Sequence, residues 1–311
     1  DSFFLCFFEP IRFMIVQHQK KIIMKTKNFK IGLILGLSLA FTTLTFGQYN
    51  ECAGQNKIVE KRKVEVIDDD TGETTIQVVE QEVAKDTYGN PDGNQYDLAV
   101  DGAFEGQTVA VLHLYTGEGF DFKLPKEAIE QKGFSVYRWI NNPPTPEELE
   151  KALEKACQLW VISSSQRKLN DEHIEVIKSF FDSGKGVYIW GDNQPYYSDA
   201  NAVSKALIEV EMNGNTMGNQ TVDIQKGGKK IGLTPNHLIT TGLQYIYEGI
   251  TIATLDDHED LTPIIYGSAG NLVTAVYEKD NKRLILDGGF TRLYINWDTA
   301  GTGRYVKNAA A

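Results

Sequence analysis

Cysteine is scarce: Cys6, Cys52 and Cys157 are the three in the chain. So few exclude a disulfide framework, and a chain of this length buries enough surface to need none. Cys157 follows an amphipathic stretch and is expected as a small buried apolar side chain, not a nucleophile. A Cys52–Cys157 bridge is permitted in an oxidising compartment but is not indicated by spacing, so both are expected free. Basic charge is also in deficit. The chain has 31 Lys/Arg against 42 Asp/Glu, and residues 1–47 hold six and two of these, leaving 25 against 40 and a net charge of −15 beyond Gly47. That balance disfavours nucleic acid and anionic membrane surfaces as partners. Long apolar runs are missing as well. The uncharged, mostly apolar run Ile31 to Phe46 is shorter than the roughly 20 residues of a membrane-spanning helix.

That run has a different reading. Met24 precedes Lys25, Lys27 and Lys30, the apolar run follows, and Gly47-Gln48 closes it. This is the n-region, h-region and small-residue site of a secretory signal peptide. The expectation is export to a periplasmic or extracellular space, with cleavage near Gln48 and no stable membrane insertion afterwards. Residues 1–23 read as translated upstream sequence or an extended n-region. Tyr49-Asn50-Glu51 before Cys52 lacks the small residues that lipid attachment needs.

Three segments follow from these patterns: 1–47 upstream of the mature chain, 48–106 as a β-hairpin and linker, and 107–311 as an α/β domain. Val64 and Val66, then Asp68-Asp69-Asp70-Thr71-Gly72, then Thr75, Gln77 and Val79 alternate around an acidic turn and predict the hairpin. Asp86 to Phe104 is a Gly, Asn and Asp-rich linker. Its Asn90-Pro91-Asp92-Gly93-Asn94 is a turn and not a calcium loop, since Tyr88 and Ala99 would stand at ligand positions that need carboxylates. From Gln107, strands at Thr108–Leu114, Phe134–Trp139, Leu159–Ile162 and Val187–Trp190 alternate with helices. The first helix runs from Pro125 to Gly133. The second opens at the capping box Thr145-Pro146-Glu147-Glu148 and runs to about Ala156. The third is capped by Asn170, with Ile174, Ile177, Phe180 and Phe181 on one face. The fourth starts at Ser198 or Asp199. Four βα units predict a flavodoxin/Rossmann-like parallel sheet wrapped by helices. Strands at Thr221–Ile224, Ile250–Leu255, Pro263–Tyr266, Leu272–Tyr277 and Arg283–Leu286 complete it and add an antiparallel C-terminal extension. A last helix begins near Thr302 and still runs at Ala311.

In open α/β sheets ligands bind beyond the carboxyl ends of the strands. The tips here are Tyr115-Thr116-Gly117-Glu118-Gly119, Asn141-Asn142, Ser163-Ser164-Ser165-Gln166 and Gly191-Asp192-Asn193-Gln194. None forms G-x-G-x-x-G or a P-loop, so no nucleotide cofactor is expected.

Phe180-Phe181-Asp182-Ser183-Gly184-Lys185-Gly186-Val187-Tyr188-Ile189-Trp190-Gly191, after the helix opened by Asn170-Asp171-Glu172-His173, resembles the helix, Gly-x-Gly, strand and turn core of the class I glutamine-amidotransferase-like superfamily. Its ThuA-like and GldG-like branches are the most similar. Pro235-Asn236-His237-Leu238-Ile239-Thr240-Thr241-Gly242-Leu243 resembles their His-Pro-Ile-Thr-x-Gly-Leu segment, with Leu238 where Pro stands. The resemblance spans roughly residues 107–311. It implies a Cys nucleophile on the turn after the fourth strand. The turn here, Gly191-Asp192-Asn193, has neither Cys nor Ser, which removes thiolate chemistry.

The site expected from these residues is therefore non-catalytic. Asp192 and Asn193 stand at the elbow, with Tyr196 beyond them. His237 lies in a loop, Ser163 and Thr116 on neighbouring tips, and Arg292 and Trp297 after Gly288-Gly289. Together they would make an aromatic and guanidinium-lined cleft for a polar small molecule or glycan. Asp192 could instead serve its own turn, His237 its own loop, Arg292 could pair with Asp287 and Trp297 could pack in the core. His113 is expected in the core and His173 exposed. Asp256-Asp257-His258-Glu259-Asp260 is contiguous and reads as a solvated loop, so no metal is expected. Two other readings stand beside this one. The first is a ThuA-like enzyme acting on sugars through Asp192 and His237. The second is an envelope protein-interaction module using the acidic hairpin.

Overall fold

The computed structural model describes residues 59–67, 74–82, 98, 101–297 and 301–311. The expected signal peptide, Cys52, the expected linker turn at Asn90–Asn94 and Asp298 lie outside them.

Two strands, β1 (Val59–Ile67) and β2 (Thr74–Glu82), make the expected antiparallel hairpin, with Ile67 opposite Thr74 and Val59 opposite Glu82. The α/β domain then runs β3 (Thr108–His113), α1 (Lys123–Gln131), β4 (Ser135–Ile140), α2 (Pro146–Leu153), β5 (Gln158–Ile162), α3 (Asp171–Asp182), β6 (Gly186–Trp190) and α4 (Ser198–Ile208). The remaining strands are β7 (Met212–Met217), β8 (Thr221–Asp223), β9 (Gly232–Leu233), β10 (Tyr245–Tyr247), β11 (Thr251–Leu255), β12 (Leu261–Tyr266), β13 (Leu272–Lys279) and β14 (Lys282–Asp287). Helix α5 (Thr302–Ala310) closes the order.

The main sheet has the order β4-β3-β5-β6-β14-β13-β12-β9. From β4 to β14 the neighbours are parallel; β13, β12 and β9 are antiparallel to theirs. This is an α/β, Rossmann-like mixed sheet. Because β3 has β4 on one side and β5 on the other, the chain reverses its direction of winding there. That reversal opens a crevice at the carboxyl ends. Two short antiparallel pairs, β7 with β11 and β8 with β10, lie outside the main sheet.

Period-two alternation divides the strand residues between two cores. Val109, Val111, Trp160, Ile162, Tyr188 and Trp190 face the side that also buries Ile129 of α1 and Tyr305 and Val306 of α5. Ala110, Leu112, Leu159, Val161, Val187 and Ile189 face the other, with Leu149 of α2, Ile177 and Phe181 of α3 and Val203 of α4. Among the described residues no helix is long and apolar enough to cross a membrane.

The departures from the sequence reading are local. Helix α1 starts two residues before Pro125, because Phe122 takes a left-handed conformation (φ 63°) and releases the chain into the helix early. Helix α2 ends at Leu153, not Ala156. His173 is buried, not exposed: its ring bonds Asn170 and the Pro144 carbonyl, 2.7 Å from Nε2, so the cap residue and the preceding loop enclose it. Strands β7, β9 and β10 are additions to the expected set. Met212-Asn213-Gly214-Asn215-Thr216-Met217 has little strand propensity and is held by its ladder to β11. Cys157 is buried, and its thiol donates to the Thr108 carbonyl at 3.4 Å.

Candidate functional site

Residues from the tips of β3, β6 and β14 meet around the turn after β6. Gly191 opens that turn. A Cβ built there would lie 2.5 Å from Met212 Sδ and 3.2 Å from Tyr197 Cβ, so the close approach of the elbow to α4 and β7 favours glycine. Asp192 follows and is 5% exposed. Its Oδ1 accepts a hydrogen bond from the Asn193 N–H at 3.0 Å, and Oδ2 has no partner among the described residues. The turn is closed by Asp192 N–H donating to the Tyr196 carbonyl at 3.2 Å and Tyr196 N–H to that of Asn193 at 2.8 Å. Asn193 Oδ1 accepts from Thr251 Oγ1 at 3.2 Å.

Aromatic rings surround this carboxyl. Tyr196 meets Tyr115 of the β3 tip edge to face at 5.5 Å, and Tyr115 meets Phe290, beyond β14, at 5.3 Å. Phe290 packs on Phe120 and Tyr294. Tyr294 Oη donates to Glu118 Oε2 at 3.1 Å, which holds the Glu118 carboxylate toward the cluster. Burial pushes the Asp192 carboxyl well above the usual range. The Asn193 N–H and Arg292 pull it back, while Asp287 and Glu118 push it further up. The phenols of Tyr115 and Tyr294 are raised mainly by burial and also by Glu118 and Asp192, the mark of a negative local field.

Beneath the elbow lies a closed ion pair. Arg292 Nη1 donates to Asp287 Oδ2 at 2.6 Å, and both side chains are fully buried. Tyr305 and Tyr188 donate to the same oxygen at 2.7 and 3.2 Å, and Gly289 N–H donates to Oδ1 at 2.9 Å. Arg292 Nη2 is spent on the Glu248 carbonyl at 2.9 Å. A charge withdrawn from water is retained only when paired and hydrogen-bonded in this way.

The expected site residues thus separate. Asp192, Asn193 and Tyr196 come together, and Thr116 is exposed on the loop that carries Tyr115 and Glu118. Arg292 does not line the cleft; its pairing with Asp287 seals it below. Trp297 is not beside Asp192. It lies with Leu124, Arg304 and Lys307 in a groove of about 420 Å³ between α1 and α5. Ser163 faces inward: Oγ accepts the N–H groups of Asp199 and Ala200 at 3.0 and 3.1 Å and so caps α4. His237 serves its own loop. Its Nδ1 accepts the Ile239 N–H at 3.2 Å as the cap of the short helix Leu238–Thr240, and burial lowers its pKa to about 4. The charged groups that shift Asp192 most are Arg292, Asp287 and Glu118.

Two buried carboxylates set the surroundings. Asp199 Oδ1 accepts the N–H groups of Lys168 and Leu169 at 2.7 and 2.9 Å, and Oδ2 takes the hydroxyl of Ser164 at 3.3 Å, pinning the loop after β5 to α4. Glu248, also fully buried, accepts Ser268 N–H and Oγ, both at 2.6 Å, and Gln220 N–H at 3.2 Å. Sequence reasoning alone does not assign Tyr115, Glu118, Phe290, Tyr294 or Glu248 to the site. The aromatic density of 115–122 and 290–297 is the signal that could have found the first four.

Among the described residues no group of three or more His, Cys, Asp or Glu is placed to hold a metal. In the acidic loop, Asp260 pairs with Lys279 at 2.9 Å and Asp256 accepts from the Asn213 side chain.

No family model matches the chain, and no curated protein matches it. Solved structures similar to it include a ThuA-like protein from Parabacteroides merdae, 12% identical over 66% of this chain and 88% of that one, with a TM-score of 0.43. A GMP synthase component from Thermoplasma acidophilum is 9% identical over 66% and 93%, with a TM-score of 0.41. An exo-β-1,4-mannosidase from Opitutaceae bacterium strain TAV5 is 9% identical, with a TM-score of 0.39; the matched region covers 67% of this chain but only 36% of the mannosidase. Each is a likeness of layout in part of the chain and carries no chemistry across.

Proposed function

We propose that this chain is an exported, non-catalytic amidotransferase-like domain that binds a small polar ligand, of carbohydrate character, at the strand tips around Asp192. The observation that carries the reading is the state of Asp192. At the elbow where a thiol nucleophile would stand there is a buried carboxyl with one oxygen engaged and the other without a partner, ringed by Tyr115, Tyr196 and Tyr294. An oxygen that still reaches solvent within a mostly buried carboxyl is open to a ligand's hydrogen bond. Tyrosine faces with a nearby carboxyl offer a sugar both a stacking surface and a hydrogen-bond partner. The sheet order and the position of the elbow after β6 support the amidotransferase-like layout, and the absence of Cys and Ser from Gly191–Gln194 supports the non-catalytic part.

The test is binding of a panel of mono- and oligosaccharides to the chain and to Asp192→Asn and Tyr196→Ala, with thermal unfolding measured alongside. Both variants are expected to keep the fold and to weaken a bound sugar, by about 1–3 kcal/mol for the loss of a charge-assisted hydrogen bond at position 192. Loss of stability with unchanged binding would instead make Asp192 a turn residue.

A further inference from the structure

We infer that the groove between α1 and α5 is a second binding site, for a small organic anion: a flat apolar body against the Trp297 indole, with a carboxylate or phosphate held by Arg304 and Lys307. The groove holds about 420 Å³, within the roughly 300–1,000 Å³ of small-molecule pockets. Leu124, Glu127, Ala128 and Gln131 form one wall at spacings of three and four, the stripe that a single face of α1 presents. Arg304 and Lys307, three apart on α5, form the other, together with Trp297. A Cβ at Gly303 would meet the indole Nε1 at 3.4 Å, so the ring lies against the first turn of α5. No residue of the elbow lines this groove, and the two sites stand apart.

The walls select the charge of the guest. On a chain of net charge −11, the groove is lined by two cationic side chains and one acidic, Glu127, which faces Lys123 one turn away at 3.9 Å. Asp101, on which Lys307 acts from α5, has its oxygens held by Lys132 at 3.0 Å and by Gln131 at 2.8 Å. Arg304 is half-buried and oriented. Its Nη1 donates to the Gly242 carbonyl at 2.5 Å, which fixes the plane of a group with five donors. Helix α5 also begins at the groove. Its N-cap is Gly301, which supplies no capping side chain, and its first turn holds no acidic residue. The Thr302 hydroxyl, fully buried at the same helix end, has no partner among the described residues. The unbonded N–H groups of that turn favour negative charge. A cation would be repelled by Arg304 and Lys307, and a bare inorganic anion would leave the indole and the Leu124 wall unused. An aromatic oxyanion uses both, since a planar guanidinium matches its oxygens and its ring stacks on the indole.

The experiment is a titration of the isotopically labelled chain with phenyl phosphate, benzoate, benzyl alcohol and inorganic phosphate at about pH 7, where the carboxylate and the phosphates are charged. It follows the Trp297 indole N–H and the amides of residues 124–131 and 301–307. The better of the two aromatic anions, which also identifies the preferred head group, is expected to bind about tenfold more tightly than benzyl alcohol or inorganic phosphate. Lys307→Glu should remove that advantage and Lys307→Gln cut it several-fold, with the melting temperature measured for each. Should the charge reversal disturb the fold, the Gln variant decides. Trp297→Leu should bring the aromatic anion down to the level of inorganic phosphate. Lys229→Glu, the same reversal in the exposed turn 226–229, should leave binding unchanged. Equal binding of benzyl alcohol would overturn the charge assignment, and equal binding of inorganic phosphate would overturn the aromatic body. An equal loss in Lys229→Glu would trace the effect to the net charge of the chain and overturn the site. So would the absence of any shift at Trp297 and residues 301–307.

Discussion

His237 caps a helix with a ring nitrogen that must accept a hydrogen bond, and only the neutral imidazole can do so. Burial holds its pKa near 4, against about 6.5 for a histidine in an unfolded chain. The folded value is the lower one, so on acidification the unfolded chain takes the proton first. The stabilisation is complete above about pH 6.5 and is lost as pH falls toward 4. The loss is expected to be roughly 2 kcal/mol, after allowance for the partial exposure of the ring. It should appear as a falling urea midpoint across that window. His237→Asn keeps a capping acceptor without the titration and should flatten part of the slope; an unchanged slope would assign it elsewhere. His113, lowered to about 4 by burial and by Arg138, adds to the same window and remains in that variant. Asp192 acts with opposite sign. Its folded pKa is raised, so it favours the folded chain at low pH and withdraws that support as pH rises.

Among the elements, α2 shows how closely local signals and structure agree. Thr145 Oγ1 accepts from Glu148 N–H at 3.3 Å and Glu148 Oε2 from Thr145 N–H at 3.0 Å, the reciprocal box read from Thr-Pro-Glu-Glu. Thr145→Ala is expected to cost about 1 kcal/mol in chemical denaturation, without altering ligand binding, because α2 packs against α3 and supplies none of the elbow residues. Thr145→Asn, which keeps a capping oxygen, should recover most of it. The four βα units are legible for the same reason. Their caps, glycine stops and two-sided apolar strands are local properties, and each is satisfied within its own unit. Strands β7, β9 and β10 are not legible, since polar, glycine-containing segments become strands only when a ladder partner from elsewhere in the chain holds them. At the site, the elbow can be located because a strand end followed by Gly-Asp-Asn is a local pattern. The gathering of Tyr115, Glu118 and Tyr294 about Asp192 cannot, because it depends on β14 lying beside β6. The same placement turns Arg292 from an expected cleft residue into the buried partner of Asp287.

At the scale of the whole molecule, the N-terminal pattern predicts export and where the chain is cut. Sequencing of the exported protein is expected to begin near Gln48. Material still reading through Met24 would contradict both cleavage and export by this route. The loops around the strand tips bear on how such a protein would engage its ligand. Asp199 gathers the N–H groups of Lys168 and Leu169 and the hydroxyl of Ser164, while Lys168 Nζ donates at 2.8 Å to the Leu114 and Asn141 carbonyls and so links three neighbouring tips. These loops lose their conformational freedom when the chain folds, before any ligand arrives. For the ligand proposed above, association would then have little backbone ordering left to oppose it, and the rim would act as a preorganised receptor whose affinity is decided by the few groups that touch the guest.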